Sequence, residues 1–427
     1  MRKVSSTMQE PSSHLHDLAD RLDRDLAESD ALVRARYPGD DGRRQPVHTV
    51  YVPADRYDAG LPQHWGAQAL AVLDDHLPDP QALARVVGVD EAVAEQVLPL
   101  VRAKLRAEPI EDLRIDFEDG FGDRGDDVED AAVRGAAREL RAAFTAGTAT
   151  PYSGIRFKSL EPSTRRRGLR TLDHMVGLLA EQGRLPTGFV LTLPKVTAVE
   201  QVGAMVAACA VIERAHGLAP ASLRFEIQVE TPQSVVTPYG ASAVPLMLAA
   251  ADGRCTGLHY GTYDYSASLG ISASQQSMEH PVADHAKAVV QVAAAGTGVR
   301  LSDGSTNVLP VGEPEAVVAA LGLHARLVRR SLDRGFYQGW DLHPAQLPTR
   351  YAATFSFYRE GLPSALARLQ AYLGSRDSGF LDEPATARAM AWFVARALDC
   401  GAATTEEVEE GSSAGVPAVR ELAHPRR

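Results

Sequence analysis

The chain has 427 residues, a formal net charge of −11 and no long basic run, which argues against nucleic acid as its main partner. Its apolar share of 45% is enough for a large core, and three widely spaced cysteines, Cys209, Cys255 and Cys400, exclude a disulfide framework and fit a reducing compartment. The opening MRKVSSTMQEPSS lacks the apolar stretch of a secretion signal and no run is long enough to span a bilayer, so a soluble, cytoplasmic protein with no membrane partner is expected.

Taken in order, residues 1–46 form an N-terminal extension. Leu15, Leu18, Leu22, Leu26 and Leu32 give 14–33 the spacing of an amphipathic helix, and YPGDDGRRQP reads as a loop. The first strand is expected over 48–55, followed by an insertion of several helices over about 58–110. Strands over 113–120, 154–159, 188–196, 224–230, 256–264, 298–304 and 335–344 then alternate with helices over 126–145, 164–182, 199–216, 241–251, 280–295 and 313–333. Eight strand-then-helix units point to an α/β fold, a (β/α)8 TIM barrel over 47–347 with an N-terminal helical extension and additional C-terminal helices. A doubly wound open sheet is the alternative, weakened because no glycine-rich nucleotide fingerprint follows the first strand. Two helices are expected over 350–374 and 383–398, within a C-terminal helical segment 348–400. The charged, Gly/Ser/Pro-bearing end, 401–427, reads as a mobile tail.

In a barrel the carboxyl ends of all eight strands share one face, so those ends are the place to look for chemistry. They carry Asp55 and Arg56, then Asp116, Glu118 and Asp119, then Arg156 and Lys158, then Lys195, Glu230, Asp264, Asp303, and finally Asp341 and His343. So many acids at one mouth repel one another unless a divalent cation relieves them. Glu230, where RFEIQVETP ends its strand at Pro232, and Asp264 on the adjacent strand are the candidate ligands. Two carboxylates completed by water and substrate suit magnesium, with manganese as the alternative. Capping of the following loop, YSASLG, is the other reading of Asp264. Arg156, between Ile155 and Phe157, needs a partner: it either stabilises a developing anion or pairs structurally with Glu118 or Asp119. Asp116, Glu118 and Asp119 are read as a water-holding shell, a base, or partners of Arg56, Arg156 and Lys195. Lys195 is a Schiff-base candidate, but its acidic surroundings favour an ion pair. His343 is either a proton carrier or structural.

These residues carry a family resemblance. VYVPADR, IDFEDG, GIRFKS, LTLPKV, QVETP, GTYDYSASLG and GWDLHPAQL resemble, in order, the strand-end segments of the citrate lyase beta-subunit-like proteins of the HpcH/HpaI aldolase superfamily. The match spans about 48–347 on every strand but the seventh, where only Asp303 resembles the family. Tyr263 stands where that family usually has glutamate, and Ser268 where it has aspartate. The resemblance implies a magnesium-dependent lyase or aldolase that makes or breaks carbon–carbon bonds through an enolate. Glu230 and Asp264 fall on its metal ligands and Arg156 on its active-site arginine. The substrate it implies is a 2-oxo acid or an acyl-CoA thioester, and it implies a homo-oligomer. The histidine base of the pyruvate aldolase branch is missing after Val52, where Pro53, Ala54 and Asp55 stand, which favours the citrate-lyase-beta and malyl-CoA-lyase side. Two alternatives stay open: an acyl-CoA thioesterase or phosphoenolpyruvate-type enolate enzyme on the same barrel, and a non-catalytic subunit or binding protein that kept the fold.

Overall fold

The computed structural model describes residues 13–180, 184–374 and 383–424. An initial helix α1 (Ser13–Arg36) leads to β1 (His48–Pro53), and α2 (Leu61–His76), α3 (Pro80–Val87) and α4 (Glu91–Ala107) form the insertion before β2 (Asp112–Asp116). Then come α5 (Asp126–Ala146), β3 (Tyr152–Arg156), α6 (Arg165–Leu179), β4 (Phe189–Leu193), α7 (Val199–Ala215), β5 (Phe225–Val229), α8 (Val244–Ala250) and β6 (Cys255–Tyr260). A short α9 (Thr262–Ser268), α10 (Pro281–Ala294), β7 (Arg300–Ser302), α11 (Pro314–Asp333) and β8 (Gly339–Asp341) complete the barrel. The chain ends in α12 (Leu347–Leu373), α13 (Pro384–Cys400), α14 (Thr405–Ser412) and α15 (Val416–Ala423).

All eight strands run parallel in the order β7-β6-β5-β4-β3-β2-β1-β8. A bridge between Ser302 and Gln338 and a hydrogen bond from Asp303 N to Gln338 O (2.8 Å) join β7 to β8, so the sheet is a nearly closed barrel. Strand residues alternate between the helical layer and the barrel interior. On β5, Phe225, Ile227 and Val229 face the helices, and Glu226, Gln228 and Glu230 form the other row, all buried. The polar row of this strand is therefore lumen rather than solvent face. Its lower charges are paired. Arg114 Nη2 donates to Glu226 Oε2 at 2.8 Å, His259 Nε2 lies 2.9 Å from that oxygen, and Thr49 and Thr192 hydroxyls donate to Asp112 and Glu226.

Several strands stop earlier than the sequence pattern suggests, and the stops have local causes. Strand β2 ends at Asp116 because its carboxylate accepts from Glu118 N (2.9 Å) and Gly120 N (2.8 Å), which turns the chain. Strand β6 ends at Tyr260, and Asp264 lies in the first turn of α9. Of the helix expected over 164–182, the last two residues lie outside the described residues. The insertion packs its α3 and α4 against α11 and α12. Helix α1 forms as its spacing predicts, but Leu15, Leu18, Leu22, Leu26 and Leu32 are exposed. The end expected to be a mobile tail over 401–427 instead folds over 405–423 into α14 and α15. Val408, Val419 and Ala423 are buried, and Thr404 caps α14 by accepting from Glu407 N. Apolar residues at helical spacing outweigh the polar composition there.

Asp341 ties the last strand to the rest. It accepts from Arg350 Nη2 (2.9 Å) and lies 2.7 Å from His48 Nδ1 and 3.0 Å from His324 Nε2. Burial opposes its charge, but Arg350 and the two histidines hold the carboxyl well below the usual carboxylate range. Such a group contributes its full stability above its unfolded value of 3.8 and loses it as pH falls through the folded value. Asp341→Asn is therefore expected to cost about 3 kcal/mol at pH 7 in urea unfolding, and the gap to wild type should narrow below about pH 4.

Candidate active site

The site is built from the segments that follow β2 to β6. Arg156, the last residue of β3, is buried and gripped from one side: Nε donates to Asp116 Oδ1 (2.7 Å) and Nη2 to Asp116 Oδ2 (2.6 Å). Its remaining nitrogen, Nη1, lies 3.3 Å from Glu118 and 3.8 Å from Asp119. The ring of Tyr51 stands 4.9 Å from the guanidinium carbon. Burial works against the charge of Arg156, but Asp116 and Glu118 push its pKa well above the ordinary value. The principal partner is thus Asp116 rather than Glu118 or Asp119. Gly120 makes this possible, because a Cβ there would meet Asp116 Oδ2 at 2.6 Å.

Lys195 stands at the centre of the acids. Two residues past β4, it adopts a left-handed backbone (φ 50°), a conformation that non-glycine residues rarely take. The turn brings its backbone N–H to Glu230 Oε1 (2.7 Å) and its ammonium to Asp119 Oδ2 (2.9 Å), Asp264 Oδ2 (2.9 Å) and Glu118 Oε1 (3.1 Å). Burial disfavours the ammonium, but Glu230, Glu118 and Asp119 outweigh it and raise the pKa. An amine held in ion pairs with three carboxylates is a poor Schiff-base former, which favours the ion-pair reading.

Glu230 follows β5 directly and is buried. Burial, with Asp264 adding to it and Lys195 and Arg156 opposing, pushes its carboxyl up to about 7. Among the described residues Oε2 has no hydrogen-bond donor. Gly261 lets the end of β6 pass close beside it, since a Cβ there would meet Glu230 Oε2 at 2.8 Å. Burial likewise raises Glu118, with Arg156 opposing and Asp119 reinforcing; Arg156 and Lys195 overcome burial at Asp119 and lower it.

Three carboxylates, Glu118, Asp119 and Asp264, thus contact one ammonium, and a fourth, Glu230, accepts from the same residue's backbone N–H. The donor set fits a hard divalent cation: oxygen-only ligands, excess negative charge, and an unpartnered oxygen on buried Glu230. Among the described residues no group of three or more His, Cys, Asp or Glu side chains is arranged around one metal position. Glu230 and Asp264 would therefore hold the ion as a pair, with water and substrate completing the shell.

The remaining strand-end residues serve the scaffold. Asp55 pairs with Arg124 (2.7 Å), Lys158 with Glu129 (2.6 Å), and Asp303 with Lys287 (3.0 Å). Asp341 is locked in the network described above. His343 accepts from Ala345 N as a cap on the turn before α12, and burial lowers its pKa. Sequence reasoning missed Tyr51, whose buried hydroxyl has no partner among the described residues. Its place on the inward row of β1, opposite Val50 and Val52, is the signal that could have found it. Tyr263 Oη accepts from Asn307 N, tying α9 to the loop after β7.

In fold, the chain is similar to solved (β/α)8 barrels at low sequence identity. A crystal structure of a citrate lyase from Burkholderia xenovorans LB400 superimposes with a TM-score of 0.58 at 18% identity, covering 87% of this chain and 97% of that one. A malate synthase from Haloferax volcanii gives 0.47 at 16% identity, covering 90% and 98%. An HpcH/HpaI aldolase/citrate lyase family protein from Burkholderia cenocepacia J2315 gives 0.39 at 16%, covering 79% and 97%. The chain belongs to the family described as "Domain of unknown function (DUF6986)", whose model matches residues 26–427. No curated protein matches the sequence. Among the described residues no helix is long and apolar enough to cross a membrane.

If the Lys195 ammonium occupies part of the cation position, removing it leaves one more uncompensated negative charge. Lys195→Met is expected to lower the thermal midpoint in metal-free buffer and to tighten Mg2+ binding by about tenfold in calorimetric titration. Weaker Mg2+ binding would mean that Lys195 organises the ligands instead.

Proposed function

We propose that the protein is a divalent-cation-dependent carbon–carbon lyase that works through an enolate on a 2-oxo acid or an acyl-CoA thioester. One observation carries this reading. A pre-positioned arginine stands beside the acids gathered by Lys195, where Glu230 and Asp264 could hold an ion within reach of a small substrate on Arg156. Mg2+ held by Glu230 and Asp264 would supply Lewis-acid polarisation of a substrate carbonyl.

The chain's own groups account for the rest. Asp116 fixes Arg156 before substrate arrives, so its donors need no reorganisation as negative charge develops on an enolate oxygen. Glu118, buried beside Arg156 and Lys195 with its carboxyl raised, is placed to give or take a proton near neutral pH. Lys195 holds Asp119 and Asp264 in position and is a second cation for a substrate carboxylate. Tyr51 beneath Arg156 offers an unpaired hydroxyl inside the barrel.

Calorimetry with pyruvate, oxaloacetate, glyoxylate and acetyl-CoA, each with and without Mg2+, tests the proposal. Mg2+-dependent binding of an oxo acid is the expected result; binding of acetyl-CoA alone moves thioester chemistry ahead. Glu230→Gln should abolish Mg2+ binding while the fold persists. Arg156→Gln should leave Mg2+ binding in place and lower turnover of the substrate so identified by about 100-fold or more. If neither Mg2+ nor any of the four compounds binds, the reading is wrong.

A further inference from the structure

A cavity of about 1180 Å3 lies at the amino-terminal end of the barrel, opposite the carboxylate-lined mouth. Its wall is formed by the beginnings of the strands. Its cover is the segment 37–44, strapped down by Gly39 N donating to Gly296 O (2.8 Å) and Arg300 Nη1 donating to Arg44 O (2.7 Å). Small-molecule sites usually occupy about 300–1,000 Å3, so the space admits an organic molecule rather than a lone ion. This end of such barrels is ordinarily given to stability. A cavity of this size there calls for an explanation.

The charges around it supply one. Most arginines here are satisfied: Arg114 by Asp112 and Glu226, Arg254 by both oxygens of Glu213 (2.6 and 2.9 Å), Arg44 by Glu108 and Glu111, Arg43 by Asp41 (Nε–Oδ2 2.6 Å). Arg224, which enters β5 and lines the cavity, is different. Among the described residues it makes no ion pair, and its enclosed Nε has no acceptor. Burial and the like charge of Arg43 both act against its guanidinium and lower its pKa, so an anion brought to it would relieve both. Phe189 and Leu218 line the same space and offer an apolar wall.

We propose that this cavity binds a small organic anion, its phosphate or carboxylate head paired with Arg224 beside Arg43 and its apolar body against Phe189 and Leu218. The planar guanidinium fork suits either head. The site is independent of the lyase reading, because it shares no residue with the mouth.

Calorimetric titration of the full chain with phenyl phosphate, phenylacetate and inorganic phosphate tests it. The first two share a body and differ in head; the third lacks the body. Saturable one-to-one binding of phenyl phosphate or phenylacetate is expected, and the tighter of the two names the head. Arg224→Gln should weaken that binding by about tenfold or more. Glu230→Gln, at the far end of the barrel, should leave it within about twofold. Without ligand, Arg224→Gln should melt at or above the wild-type temperature, since it removes a charge that makes no ion pair among the described residues. The proposal is overturned if none of the probes binds at millimolar concentration, or if Arg224→Gln leaves affinity unchanged. It also fails if Glu230→Gln weakens binding equally, or if Arg224→Gln melts well below wild type, which would make Arg224 structural.

Discussion

The pincer of Asp116 on Arg156 is the constraint on which the site depends. One carboxylate accepts from two of the three guanidinium nitrogens and from two backbone N–H groups of the following turn. That leaves it with no lone pair to spare, and it ties the ends of β2 and β3 into one unit. The turn it creates places Glu118 and Asp119 against the free side of Arg156, and those two acids in turn hold the Lys195 ammonium. Lys195 passes the constraint on through its backbone to Glu230 and through its side chain to Asp264. Five strands are coupled in this way by charge-assisted bonds, which are directional enough to fix positions that apolar packing would leave loose.

The same logic explains how the barrel tolerates so much charge inside. Arg114, Asp112, Glu226 and His259 form a closed set low in the lumen. The upper set around Lys195 is different in kind. It has more acids than cations, an unpartnered oxygen on Glu230, and two members, Asp119 and Asp264, about half exposed. A complete network is a scaffold; an incomplete one at an open end can accept a ligand. The cavity at the opposite end holds Arg224, a cation that makes no ion pair among the described residues.

The sequence was most legible where pattern and chemistry agreed. The run RFEIQVETP gave a buried strand and a terminal acid, and the structure has both. Eight strand-then-helix units gave the barrel, because a parallel strand needs a crossover and the crossover helices show their own spacing. The rule that strand ends share one face brought Glu118, Asp119, Arg156, Lys195, Glu230 and Asp264 together correctly as neighbours. It also gathered Asp55, Lys158, Asp303, Asp341 and His343, which turned out to be bound to scaffold partners on helices or loops. Nothing in a strand's own sequence tells which helix will answer its charge. Composition misled at 401–427, where two short helices found an apolar surface on α12 and α13 to pack against.

What the sequence determined by itself was the periodicity: which segments are strands, which residues alternate, and hence that an acid-rich mouth exists. That follows from local backbone geometry, which repeats every two residues in a strand and every 3.6 in a helix. Tertiary structure alone decided which charges are spent and which are free. Asp116 rather than Glu118 grips Arg156, Lys195 enters the acid cluster through a left-handed turn, and Arg224 is left without a counter-ion among the described residues. Pairing of charges across a closed barrel depends on distances between residues far apart in the chain, and those distances are fixed only when the barrel closes.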